Sequence, residues 1–159
     1  MLQLLIKDFS AHPLNIYYSL TDVYTNSVLA IFDSISGGEV ETKSIKYNVV
    51  HKTGEYQTVY VPGPLSYSPV VLERGYGNTR DLYNWFVLAC SGKITGARKN
   101  VSISFNAFKD GKYTALVTWN LINAWPTKLS GFQGSQDGAP KVARFSITLT
   151  AEKIQRVDA

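Results

Sequence analysis

Cysteine is all but missing from this 159-residue sequence, and the one thiol, Cys90, has no partner for an intramolecular disulfide. A disulfide scaffold is excluded, and the apolar neighbours Val87, Leu88 and Ala89 predict a buried thiol acting as a small hydrophobe. Histidine is nearly as scarce: His12 and His51 are the only two, and with one cysteine they do not make the spacing of a metal site. Charge is low as well, 18% of residues, with Lys plus Arg exceeding Asp plus Glu by 16 to 12. The basic residues are scattered, which fits a mildly basic solvated surface better than a nucleic-acid patch. Long hydrophobic runs are absent too. The longest, Trp85 to Cys90, falls far short of the ~20 residues of a membrane helix, and Lys7 and Asp8 interrupt the apolar N-terminal stretch, so neither a signal peptide nor a membrane span is expected. No internal repeat, low-complexity tract or linker divides the chain, and residues 1–159 read as a single domain able to bury roughly 70% of its unfolded surface.

What is present is aromatic and alternating. Hydrophobic residues make up 45% of the chain, and ten Tyr, seven Phe and three Trp favour strands. Leu14, Ile16, Tyr18 and Leu20 fall on one face of a strand, opposite Asn15, Tyr17 and Ser19. Val28 to Phe32 is a short apolar run, followed by a turn at Gly37-Gly38. Ile45, Tyr47 and Val49 then oppose Ser44, Lys46 and Asn48 in a strand from Val40 to Val50. After a break at Thr53-Gly54, a return strand from Glu55 to Val61 is expected to end at Pro62-Gly63-Pro64. In the second half, Val101, Ile103, Phe105 and Ala107 oppose Ser102, Ser104 and Asn106, and Asp110-Gly111 suits a tight hairpin turn. The return strand is expected to set Tyr113, Ala115, Val117 and Trp119 on one face. A last strand from Lys141 to Ala151 follows a glycine-rich loop, Ser130 to Pro140.

One segment departs from period two. Thr79 to Ser91 predicts a helix, with Asn78 as N-cap, Asp81 as its capping partner and Gly92 just past the end. Leu82, Trp85, Phe86 and Ala89 share a face, but Val87, Leu88 and Cys90 make the helix apolar almost all round, so burial on most sides is expected. Together these elements predict a mostly β fold, an antiparallel barrel or sandwich with one packed helix. Leu82, Trp85, Phe86, Trp119 and Trp125 are the candidate packing residues.

Chemistry finds no foothold. Gly75-Tyr76-Gly77 sits where a dinucleotide fingerprint would, but Arg80 occupies the third glycine position. Gly134-Ser135-Gln136-Asp137-Gly138 lacks the glycine that a nucleophile elbow needs two residues before its serine. Glu39 and Glu41 lie along an alternating strand, which suits solvent or an interface better than acid–base work. No enzymatic activity, cofactor or metal is expected. The several strands with a second face of small uncharged residues point instead to a water-facing wall. A sheet from one short chain cannot enclose a channel alone, but rotationally related copies can join edge to edge.

Four motifs, in order, then carry a resemblance: Val61-Pro62-Gly63; Val70-Val71-Leu72-Glu73-Arg74-Gly75; Asp81-Leu82-Tyr83-Asn84-Trp85; and Trp119-Asn120-Leu121-Ile122-Asn123-Ala124-Trp125-Pro126-Thr127-Lys128. From about Ser27 onward the chain resembles the phage tail-tube family, the inner-tube proteins of contractile phage tails and extracellular contractile injection systems. Ser36-Gly37-Gly38-Glu39 stands where the family carries a serine-glycine-leucine-like turn.

The resemblance implies homo-hexameric rings that stack inside a sheath, with baseplate, spike and tube-terminating proteins at the ends and DNA or an effector protein as cargo. It implies assembly in the bacterial cytoplasm, for a phage tail or a released injection particle. It also implies that a hairpin from about Glu39 to Val61 contacts the adjacent ring, with Glu39, Glu41, Lys43, Tyr47, Lys52, Glu55 and Tyr56 as candidate stacking residues. Lys46, Asn48, Ser102, Ser104 and Asn106 are candidates for the lumen wall. Two other readings make different demands: a single-layer tube-initiating or adaptor ring at the baseplate, and a monomeric glycan- or ligand-binding β-sandwich using its Trp and Tyr side chains.

Overall fold

Alternation in the sequence becomes ten strands in the computed structural model, which describes residues 16–75, 79–130 and 144–158. In chain order these are β1 (Ile16–Asp22), β2 (Ser27–Phe32), β3 (Ser34–Gly37), β4 (Val40–Val50), β5 (Tyr56–Tyr67) and β6 (Val70–Gly75), then helices α1 (Arg80–Cys90) and α2 (Ile94–Ala97). The chain continues with β7 (Lys99–Lys109), β8 (Lys112–Ser130), β9 (Arg144–Thr150) and β10 (Lys153–Asp158). Leu14, Asn15, Asn78, the 131–140 loop and the start of the last predicted strand at 141–143 lie outside the described residues.

All pairings are antiparallel, in the order β2-β1-β7-β8-β9-β6-β3, with β10 also on β8. The 19-residue β8 joins two layers. Its earlier part pairs with β7 and β10, and Trp125 to Ser130 pair with β9. On the opposite side only Asp33 separates β2 from β3, so the chain crosses between layers there as well. Arg144 grips that corner with two hydrogen bonds to the Asp33 carboxylate, at 2.5 and 3.3 Å, and the Asp33 N–H donates to the Glu73 carbonyl. The result is the expected barrel-like sandwich. Leu20, Phe32, Val101, Ile103 and Leu121 from one layer meet Val70, Leu72, Phe145, Ile147 and Leu149 from the other, and all are buried.

Four details differ from the sequence reading. First, Pro62-Gly63-Pro64 does not end β5. The ladder runs on to Tyr67 through an irregularity opposite Thr42 to Ser44, and strands of a two-stranded ribbon tolerate prolines because each has one unpaired edge. Second, a bulge between Phe105 and Asn106 in the β7–β8 ladder pairs Phe105 with Val117 but Asn106 with Ala115. The extra residue, Leu116, reverses the side-chain phase, so Tyr113 and Ala115 face the opposite way from Val117 and Trp119. Third, Thr79 takes the N-cap position of α1 and makes no side-chain capping bond. Fourth, α1 is buried on one stripe only. Leu82 and Trp85 are buried and Phe86 is half-buried, while Tyr83, Val87 and Cys90 are exposed. Cys90 is therefore not a core thiol: its apolar neighbours in sequence point around a helix that has only one side against the sheet.

α1 is held chiefly by Trp85, whose indole N–H donates to the Ala97 carbonyl at 2.6 Å while Lys99 lies over its ring. Gly92, at φ +80°, makes the left-handed turn that ends the helix. Asp110 and Gly111, at φ +53° and +79°, form the predicted tight turn between β7 and β8.

Candidate assembly surfaces

Among the described residues β4 and β5 form a ribbon of their own, paired with each other, with Tyr67 at the end of β5 packed against the core. Its root is pinned where the Glu39 N–H donates to Ser68 Oγ at 2.7 Å and the Ser68 N–H donates to the Glu39 carbonyl at 2.9 Å. Its tip turns through Gly54 at φ +82°, beside a 2.7 Å hydrogen bond between His51 Nε2 and Gln57 Oε1.

The ladder gives the ribbon two unlike faces. Ile45 opposes Val61, Tyr47 opposes Val59 and Val49 opposes Gln57, making the middle of one face largely apolar, while Lys43 and Glu41 follow on the same side of β4 toward the root. Lys46 opposes Tyr60, Asn48 opposes Thr58 and Val50 opposes Tyr56 on the other. Tyr56 and Tyr60 on that second face retain 81% and 64% of their accessible surface. All seven candidate stacking residues, Glu39, Glu41, Lys43, Tyr47, Lys52, Glu55 and Tyr56, are exposed here.

The candidate lumen residues divide between two sheets. Lys46 and Asn48 ride on the ribbon, whereas Ser102, Ser104 and Asn106 project from β7 on the side of the layer away from the core. They are half-buried and locked to neighbours: Ser104 Oγ lies 3.2 Å from Thr118 Oγ1, and Asn106 Nδ2 donates to Ser19 Oγ at 2.9 Å. Register extends this face across Thr21, Asn120 and Gln155, giving a surface of hydroxyls and amides that is uncharged through its centre. Gln155 was missed because its strand, β10, carries Lys153, Arg156 and Asp158 and reads as a polar tail. The only sequence signal for it was Ile154, which is buried.

This same layer begins and ends at strands without a second partner among the described residues, β2 at one side and β10 at the other. Val28 and Ile31 on β2 are more than half exposed. A short apolar edge with no charge to protect it is a template for pairing with another strand.

Among the described residues no three His, Cys, Asp or Glu side chains cluster as metal ligands, and no helix is long and apolar enough to cross a membrane. The guanidinium of Arg144 is held above its ordinary pKa, first by its hydrogen bond to Asp33 and then by the charges of Asp33 and Glu73, which makes it a structural cation.

A family model described as T4-like virus tail tube protein gp19 matches residues 15–155. No curated protein matches the chain. Among solved structures, a chain of the sheath–tube complex of the extracellular contractile injection system PVC is 21% identical, with 96% of this chain and 97% of that one covered at a TM-score of 0.64. A chain of the anti-feeding prophage tube-terminating cap is 23% identical over 89% and 88%, at 0.63. Hcp1 from Salmonella typhimurium is 13% identical over 92% and 87%, at 0.51. At these identities the solved structures establish a shared fold, and the family match covers most of the sequence.

Proposed function

Since the chain belongs to the T4-like virus tail tube protein family and is a structural subunit of a tube, we propose that it closes into six-membered rings that stack into a hollow conduit. The observation that carries this is the β2-to-β10 layer, with two unlike free edges and an uncharged polar outer face. Unlike edges join head to tail, and a head-to-tail contact that closes makes a ring. In that ring the β2 edge of one copy pairs with the β10 edge of the next. Ser102, Ser104, Asn106 and their neighbours then line the lumen, where hydroxyls and amides hold water without fixing a charged cargo. The ribbon, with Glu39, Glu41, Lys43, Tyr47, Lys52, Glu55 and Tyr56, bridges to the adjacent ring.

The conduit so formed catalyses nothing; its work is to stay closed and stiff while cargo, DNA or an effector protein, passes through it. A sheath protein surrounds it, baseplate and spike proteins start it and a terminating protein ends it. Assembly takes place in the bacterial cytoplasm, as part of a phage tail or of an injection particle released later.

Negative-stain electron microscopy of the concentrated protein, with a solution mass measured beside it, tests the reading. Hollow tubes of six-fold rings are expected. Rings that never stack would assign the chain to an initiating or adaptor layer, and a monomer with a saturable glycan ligand would overturn the tube assignment of this chain.

A further inference from the structure

We propose that Tyr17, Phe108 and Tyr113, with Lys109 and Lys112 beside them, form a docking site at the hairpin end of the β2-to-β10 layer for an acidic polypeptide segment of the cargo, a reading that rests on the tube proposed above. Tyr113 stands between the other two rings, edge-on to Tyr17 at 4.9 Å between centroids and to Phe108 at 5.1 Å. All three project on the same side as Asn106 and Ser104, because Tyr17 opposes Asn106 and Phe108 opposes Tyr113. Contact among themselves does not cover them: Phe108 keeps 44% of its surface and Tyr113 53%. An aromatic cluster left open at the end of an otherwise hydroxyl and amide surface marks a contact site.

Two local features put this cluster there against ordinary sheet preferences. Tyr113 would share a side with Val117 and Trp119 but for Leu116, the extra residue in the β7–β8 ladder, which turns it onto the side of Phe108. Bulges recur at barrel rims and beside functional sites, where they re-aim a side chain. Just beyond the rings Lys109 directly opposes Lys112, and among the described residues neither makes an ion pair. Like charges across a ladder destabilise it, and Asp110 in the turn offsets only one of the two. The tip thus carries net positive charge next to exposed aromatic surface. The occupant that matches both has carboxylates for the lysines and apolar side chains for the rings, which an acidic polypeptide supplies. Duplex DNA would bring phosphates to the lysines, but its bases stay stacked on one another and would leave the rings uncovered.

Co-sedimentation with assembled tubes tests the site, using a fluorescently labelled, unstructured peptide in which leucine and phenylalanine are spaced among aspartates. Unsubstituted tubes should retain this peptide, and a version with serine in place of every leucine and phenylalanine should bind at least ~tenfold less, because aromatic anchors carry such contacts. Phe108→Thr with Tyr113→Thr, which keeps strand-forming residues in the ladder, should likewise lower retention at least ~tenfold. Lys109→Gln with Lys112→Gln alters only exposed side chains at the turn; tubes should form normally, bind the peptide ~threefold less at low salt and lose most of the salt dependence. If the threonine pair does not fold, the glutamine pair decides.

Retention that survives both pairs of substitutions, or that both peptides share, overturns the site and leaves the tube reading standing. A single-stranded or duplex oligonucleotide that displaces the peptide and binds more tightly overturns the polypeptide assignment. Loss of tubes in the glutamine pair overturns it too, because the tip would then belong to a contact between copies. No tubes from the unsubstituted chain overturns both readings.

Discussion

Replacing Trp85 by Phe removes the indole hydrogen bond that ties α1 to the segment leading into β7. Trp85 keeps 4% of its surface and Ala97 1%, so the Ala97 carbonyl that accepts at 2.6 Å has no water to turn to. A buried acceptor left without its donor costs ~1–3 kcal/mol. Shrinking an indole to a phenyl in a packed site leaves a small void that adds ~1 kcal/mol. The sum, ~3 kcal/mol, corresponds to a fall in Tm of roughly 6–12 °C for a chain of this length. Thermal unfolding followed by circular dichroism on dispersed subunits measures it, since assembly would raise apparent stability by mass action. Trp125→Phe is the control: that ring is half-buried, carries Arg98 over its face at 5.3 Å, and should lose less than ~1 kcal/mol because phenylalanine retains a π face. A Trp85→Phe loss below about 2 °C, or one no larger than the control, would refute the account of how α1 is anchored.

Two glycines separate the stability of the body from the integrity of the ribbon. Gly37 has φ +80°, and a Cβ there would lie 2.0 Å from the Pro69 carbonyl oxygen, so Gly37→Ala should sharply reduce soluble folded protein in an expression assay. Gly63 sits in the ribbon, where a Cβ would lie 2.4 Å from the Lys43 carbonyl oxygen. Gly63→Ala should leave the Tm of dispersed subunits within about 2 °C while abolishing stacked tubes in electron micrographs; undisturbed tubes would remove the ribbon from the stacking contact. On the proposed lumen face, Ser104→Lys with Thr118→Lys should still permit rings, because long side chains reach water from a half-buried stem. Tubes of that variant mixed with short DNA should show density on the axis, and density only on the outer surface would place this face on the outside.

Much of the architecture was legible because a half-buried strand writes a two-residue period. The hairpin at Asp110-Gly111, the alternation of Val101 to Ala107 and the helix around Trp85 all follow from local rules. What was illegible has particular causes. Leu116 is one residue too many in its ladder, and no composition rule marks a bulge within a run such as Tyr113 to Trp119, so the two halves of β8 were given one face. Pro62 and Pro64 announce a strand end, yet in a ribbon with outward edges the ladder passes them with a shift of register. β10 was hidden by its charges. Cys90 was misjudged because apolar neighbours in sequence are not neighbours on a helix. Of the surfaces, the ribbon's position could be read from its alternation, whereas the separation of Lys46 and Asn48 from Ser102, Ser104 and Asn106 depends on which strands share a sheet, and that is a property of topology.

The distribution of exposed apolar side chains ties these surfaces to assembly. Alternation reports only that one side of a strand avoids water; it is silent on whether the cover comes from the same chain. Val28 and Ile31 sit on a free edge, Ile45 and Tyr47 on the ribbon, and Tyr83 and Val87 on the outer side of α1. These are three separate places in the fold. In the assembly proposed above, the edge would make the contact around a ring, the projecting ribbon the contact along the axis, and the helix face would be left for an outer layer. The exposed apolar side chains of this sandwich are accounted for if, in the proposed tube, their covering is completed by other copies.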